Sequence, residues 1–258
     1  MRKRLTLTLA LGAMVALVVA GIASAYKPTV VQVGNLKLTF NGGITPTKLP
    51  KNKLAGIGLN VSGKFETVDG THPPALTQFI VETDKNGSID AKGYPVCKKG
   101  KLEARTTAEA KKACPNSIVG TGQTEVEVLF AESKPIPVKS QLIAFNGGVK
   151  GGKTQILIHA YLTQPIPAAI VTDVKVSKVS NGKYGLKSVA SVPKIANGDG
   201  SVTSFNLTIN KKYKVGNKKK SYLLAKCPTG TLLAQGEAVF ANGDKAKGGV
   251  TRPCTPKG

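Results

Sequence analysis

The chain is expected to be all-β, an antiparallel β-sandwich-like architecture with one short helix at about 107–114. Three observations predict this: polar and apolar residues alternate with a period of two, Asn-Gly pairs punctuate the alternating runs, and one segment carries a helix-capping pattern. Alternation by two places successive side chains on opposite faces of a strand, so such runs have one wet face and one dry face.

Taken in order, the chain opens with Arg2, Lys3 and Arg4, an apolar run from Leu5 to Ile22, and the small-residue site Ala23-Ser24-Ala25. That three-part layout reads as a cleavable signal peptide over 1–25. The rival reading is a retained anchor, because roughly 18 apolar residues can also cross a bilayer. Adjacent arginines are missing from the start, which favours the general export route over the twin-arginine one. Cleavage would leave a β-rich exported domain over 26–258, with a possible subdivision near 131–152 and no further apolar stretch long enough to span a membrane.

Phe79 to Glu82 and the residues around Ile89 read as strands joined by an Asn86-Gly87 hairpin. Thr106 and Glu109 have capping-box spacing, in which each side chain takes up a free backbone N–H at a helix start. The helix then runs to Cys114, which would be stapled back to a strand ending at Cys97. Thr124 to Val128, Val174 to Val176 and Phe205 to Ile209 alternate as half-buried strands. Asn181-Gly182, Asn197-Gly198 and Asn242-Gly243 supply turns, since both residue types tolerate positive φ. Phe40-Asn41-Gly42-Gly43 recurs as Phe145-Asn146-Gly147-Gly148, a shared turn chemistry too short to define a repeat.

The chain carries 37 Lys and Arg against 14 Asp and Glu, a formal net charge of +23. Removing the signal would subtract three positive charges and leave +20. Residues 26–130 contribute +5 and residues 131–258 contribute +15, which makes the C-terminal half the candidate face for an anionic partner. Arg105 and Arg252 are the only arginines beyond the signal. Lysine is a hydrated point charge, whereas base readout favours the forked guanidinium, so sequence-specific nucleic-acid recognition is not expected.

The four cysteines, an even number in an exported chain, point to two disulfides. Three connectivities are possible. The local pairing Cys97-Cys114 and Cys227-Cys254 is favoured, each bridge closing a short loop worth about 3 kcal/mol in the chain-entropy account.

Tyr94-Pro95-Val96-Cys97, Ala113-Cys114-Pro115 and Ile118-Val119-Gly120-Thr121-Gly122 resemble a family of exported, four-cysteine actinobacterial proteins of unknown function. Phe145-Asn146-Gly147, Lys220-Ser221-Tyr222 before Cys227, and Cys254 extend the resemblance over most of the chain. It implies an extracellular, β-rich, doubly disulfide-bonded protein, and implies no activity, cofactor or site residue. The density of lysine departs from the family pattern.

The densest basic cluster is Lys211, Lys212, Tyr213, Lys214, Lys218, Lys219 and Lys220. Clustered lysine releases counterions from a polyanion and tyrosine adds a stacking surface; the plainer reading is a solvated connection between two strands. Glu82 to Asp90 resembles part of a calcium loop, but Gly93 occupies the position of the bidentate acid and Lys85 and Lys92 flank it, so a hairpin is favoured and no metal site is expected. His72 reads as a loop residue, and His159 as a partly buried strand residue sharing a face with Leu157 and Tyr161. Glu125 and Glu127 share a strand face at roughly 7 Å, the spacing of a glycosidase pair but also of any solvated sheet face. No HExxH or GxSxG pattern occurs.

The expectation is an exported, non-catalytic basic β protein, secreted or held at the cell wall, without a cofactor. Its lysines would meet anionic envelope polymers or lipid head groups. The alternative is a small secreted hydrolase with a site assembled from scattered residues.

Overall fold

A computed structural model describes residues 27–130 and 134–258. The expected signal peptide, and the start of the stretch where a subdivision was considered, lie outside the described residues. In chain order the strands are β1 (Thr29–Val33), β2 (Leu36–Thr45), β3 (Lys48–Pro50), β4 (Ala55–Thr67), β5 (Leu76–Asp84) and β6 (Gly87–Ile89). Helix α1 (Thr107–Ala113) precedes β7 (Ile118–Val128), β8 (Ile136–Lys150), β9 (Lys153–Leu162), β10 (Ala168–Asn181), β11 (Tyr184–Ser191) and β12 (Gly200–Ile209). The chain ends in β13 (Lys212–Val215), β14 (Lys218–Ser221), β15 (Leu223–Ala225), β16 (Thr231–Phe240), β17 (Lys245–Pro253) and β18 (Thr255–Lys257).

The all-β antiparallel class and, among the described residues, the single short α-helix are as the alternation and the capping box predict. Twelve strands bond in the order β1-β2-β4-β12-β7-β8-β9-β10-β11-β5-β16-β17, and each neighbouring pair is antiparallel. The two edges of this sheet come together. Thr29 Oγ1 donates to the Gly249 carbonyl at 2.7 Å, and a Cβ at Gly248 would lie 2.9 Å from Val31 Cγ2. The sheet is therefore nearly closed, a barrel-like wall whose opposite sides face each other across one interior, and closure removes the exposed edges on which strands aggregate.

Alternation sorts the side chains between interior and water. On β10, Ile170, Thr172, Val174 and Val176 line the interior, while Lys175 between them is exposed. Outside, Glu125 stands opposite Lys139 on β8. An outer wall of charged residues is the reverse of a membrane-spanning barrel, whose outer belt is apolar. Among the described residues no helix is long and apolar enough to cross a membrane.

Two short strands cross one end of the barrel. β6 pairs with β15, and β15 pairs with β4, although β4 and β5 lie well apart in the strand order. This strap corrects the expected Asn86-Gly87 hairpin, because β5 pairs with β11 and β16 and not with β6. Asp84 is the cause. Its buried carboxylate accepts from the Asn86 backbone N–H at 2.9 Å, from Asn86 Nδ2 at 2.8 Å and from Leu233 N at 3.1 Å. Those bonds turn the chain across the barrel end instead of back along β5.

A second layer covers part of the outer wall. Leu102, Ala110 and the Cys97-Cys114 disulfide pack on Ile143, Phe145, Leu157 and Val171, outward residues of β8, β9 and β10. Thr106 caps α1 by accepting from Glu109 N at 3.3 Å, and Glu109 Oε2 accepts from Thr106 N at 2.9 Å. Contrary to the expectation from the sequence, Cys97 does not end a strand. It lies in an irregular stretch held by its own N–H, which donates to the Asn146 carbonyl at 2.8 Å. The second disulfide joins Cys227, just after the strap, to Cys254 at the end of β17, beside the parallel pair β3 and β18.

Candidate functional site

Antiparallel succession sends alternate connections to the same end of the barrel. The connections after β2, β5, β8, β10 and β12 emerge at the strap end, and those after β1, β4, β7, β9, β11 and β16 at the other. The lysines follow the first set. Lys48, Lys51 and Lys53 occupy the β2–β4 connection, Lys150 and Lys153 flank the β8–β9 turn, and Lys183 sits in the β10–β11 turn, all exposed. At the opposite end, among the described residues, Lys134, Lys194 and Lys245 stand with Asp69, Asp199 and Asp244. That end also presents the exposed apolar residues Val68, Leu129 and Ile166, the last 70% exposed.

The β13–β14 hairpin adds the sequence-predicted cluster to the strap end, and divides it in two. Tyr213 is no free stacking platform. Its ring lies 4.7 Å from that of Tyr94 and its hydroxyl donates to the Asp90 carbonyl at 2.7 Å. Lys220 pairs with Asp90 at 3.0 Å, and Lys211 Nζ sits 6.0 Å over the Tyr94 ring. These three residues hold the hairpin to the body. Lys212, Lys214, Lys218 and Lys219 are exposed and form no ion pair among the described residues. Lys214 stands directly opposite Lys219, a like-charge pair that opposes hairpin formation by a few tenths of a kcal/mol.

The hairpin rests on a buried polar junction that the sequence does not mark. The Tyr222 hydroxyl donates to Asn146 Oδ1 at 3.1 Å, and Gly148 N donates to the same oxygen at 3.2 Å. Asn146 Nδ2 in turn donates to the carbonyls of Tyr94 and Pro95 at 3.3 and 3.0 Å. Burial, with Tyr213 beside it, pushes the Tyr94 phenol up to about 12, and burial raises Tyr222 further. Both stay neutral donors at any ordinary pH.

The groups considered for catalysis are placed apart. His159 is fully buried on the outer wall beneath the α1 layer, where Nε2 lies 2.9 Å from the Arg105 carbonyl and Nδ1 has no partner. The N–H is therefore on Nε2, and burial holds the imidazole below its ordinary value of 6.5. His72 is half-buried with Nδ1 3.4 Å from Glu127 Oε2. The neighbouring Ser201 hydroxyl donates to the Pro73 carbonyl at 2.5 Å, so it does not supply the serine–imidazole bond of a hydrolytic triad. Asp84 and Asp90, two of the three acids of the calcium-like segment, bind backbone N–H groups and Lys220.

Sequence reasoning missed the interior itself. Twelve strands enclose more space than their side chains fill, and a lumen of about 330 Å³ remains. Its wall is chiefly aliphatic, with Ile44, Leu59, Val81, Ile158, Ile170 and Leu186 only partly buried although they point inward. Two of its hydroxyls turn into the wall, Ser188 Oγ donating to the Val81 carbonyl at 3.0 Å and Thr124 Oγ1 to the Ser204 carbonyl at 2.8 Å. β6 and β15 line the lumen at the strap end. Towards the other end it meets a cluster in which the Phe65 ring packs 6.5, 6.3, 6.1 and 5.9 Å from those of Phe40, Phe79, Phe205 and Phe240. No protein-family model, curated protein or solved structure matches the chain, so the reading of its function rests on these two features.

Proposed function

We propose that this is an exported, non-catalytic binding protein that attaches to an anionic polymer of the cell envelope through the lysines of its strap end. The single observation that carries the reading is the convergence of lysine-bearing connections on one end, with the β13–β14 hairpin presenting Lys212, Lys214, Lys218 and Lys219 unpaired. A like-charge hairpin is unfavourable for folding alone and becomes favourable against a polyanion, which releases its counterions when the lysines arrive. Two disulfides fit a protein that works in an oxidising exterior. Point charges without forked guanidinium groups suit a repeating charge lattice better than a sequence of bases.

Retention on an anionic cell-wall polymer, followed over a range of salt, tests this. Changing Lys212, Lys214, Lys218 and Lys219 together to Gln is expected to make the plot of log affinity against log salt shallower by about 3. Changing Lys134, Lys194 and Lys245 at the other end is expected to leave it almost unaltered. Equal loss in both variants, no loss in the first, or binding to anionic vesicles but not to the polymer overturns the reading.

A further inference from the structure

We infer that the lumen is a binding site for a single long aliphatic chain, the acyl or isoprenoid portion of an amphiphile. Protein interiors are packed like organic crystals, with few voids larger than a water molecule. A void of about 330 Å³ inside a wall of this kind is therefore a feature to be filled. Water is a poor occupant, since a stable buried water needs two to four polar partners. Here the lining is chiefly apolar, and Ser188 and Thr124 turn their hydroxyl protons to wall carbonyls.

Size and shape narrow the class. Sites for small organic ligands run from about 300 to 1,000 Å³, so the lumen stands at the lower limit and suits one chain rather than a lipid with several. Its lining extends from Ile89 and Leu223 at the strap to Leu162 and Ile195 at the other end, an elongated run that matches an extended chain better than a compact ring system. The strap end is crossed by strands bonded to one another. The other is lined by side chains, the phenylalanine cluster and Ile195 with Val126, Val128 and Leu162. Side chains change rotamer far more readily than strands unpair, so the chain enters from that end and a polar head remains near it. The site is independent of the lysine hairpin and does not rest on the envelope-attachment reading.

The test is titration of the full exported chain with dansyl-undecanoic acid, read by its fluorescence and by displacement with palmitic acid and with uncharged hexadecanol. Saturable binding displaced by both competitors is expected, because the chain and not the head is recognised. Ala190→Phe and Leu186→Phe place a ring in the lumen and are each expected to weaken binding at least tenfold. Val189→Phe, on the outer face of the same strand, is expected to leave it unaltered. A melting temperature of the filled variants at or above that of the parent shows that the ring occupies space otherwise vacant. Failure of the parent chain to bind the probe, displacement by palmitic acid but not hexadecanol, or undiminished binding by a folded lumen variant overturns the inference. If neither filled variant folds, the parent titration still decides.

Discussion

Asn146 and His159 are buried polar residues on neighbouring strands, yet they behave oppositely. Asn146 uses both ends of its amide, accepting from Tyr222 and Gly148 and donating to two carbonyls. Asn146→Ala leaves several of these groups unpaired, and a loss of about 3 kcal/mol is expected in chemical denaturation; Tyr222→Phe, which removes one hydroxyl, should lose about 1 kcal/mol. A loss below 1 kcal/mol for the alanine variant would remove the junction from the account. His159 satisfies one nitrogen only, and its depressed pKa has a pH signature. Above 6.5 the imidazole is neutral whether the chain is folded or not. As pH falls below that value the unfolded chain takes up a proton that the buried ring resists, so stability drops until the folded pKa is reached. His159→Gln is expected to flatten the melting temperature over that acidic interval, and an unaltered slope would show that the ring titrates freely.

The elements differ in how much of their order is local. Helix α1 is defined within a few residues by Thr106 and Glu109, and the bond from Thr106 N also draws the Glu109 carboxyl below its usual value. The Cys97-Cys114 and Cys227-Cys254 bridges span 17 and 27 residues, and this nearness is what made the local pairing readable. Each bridge is expected to contribute about 3 kcal/mol. The double variant Cys227→Ser with Cys254→Ser should unfold at lower denaturant by that amount, with the strap amides of 87–89 and 223–225 exchanging faster. Loss spread evenly over the barrel instead would mean that the bridge does not act on the strap. The strap itself was illegible. Asn86-Gly87 has hairpin chemistry, but whether a chain turns back on its own strand or crosses to another depends on what Asp84 reaches, and Leu233 is distant in sequence.

At the scale of the whole molecule, charge and cavity are both products of closure. Antiparallel succession assigns each connection to an end, and that assignment gathers lysines from separate parts of the sequence into one surface. Bound to the anionic polymer, the chain is expected to show slowed amide exchange at 150–153, 182–183 and 212–219, with 68–72 and 163–167 unaltered. Slowing confined to the latter group would reverse the proposed orientation. Alternation, turn residues and the capping box were enough to state the all-β class, the helix and the disulfides, because periodicity, caps and short loops are governed by near neighbours in the chain. Which dry faces meet, whether they meet without filling the space between them, and which lysines share an end depend on strand order. Strand order is set by contacts between residues far apart in sequence, and no local pattern encodes them, so the hollow interior and its basic end belong to the tertiary structure alone.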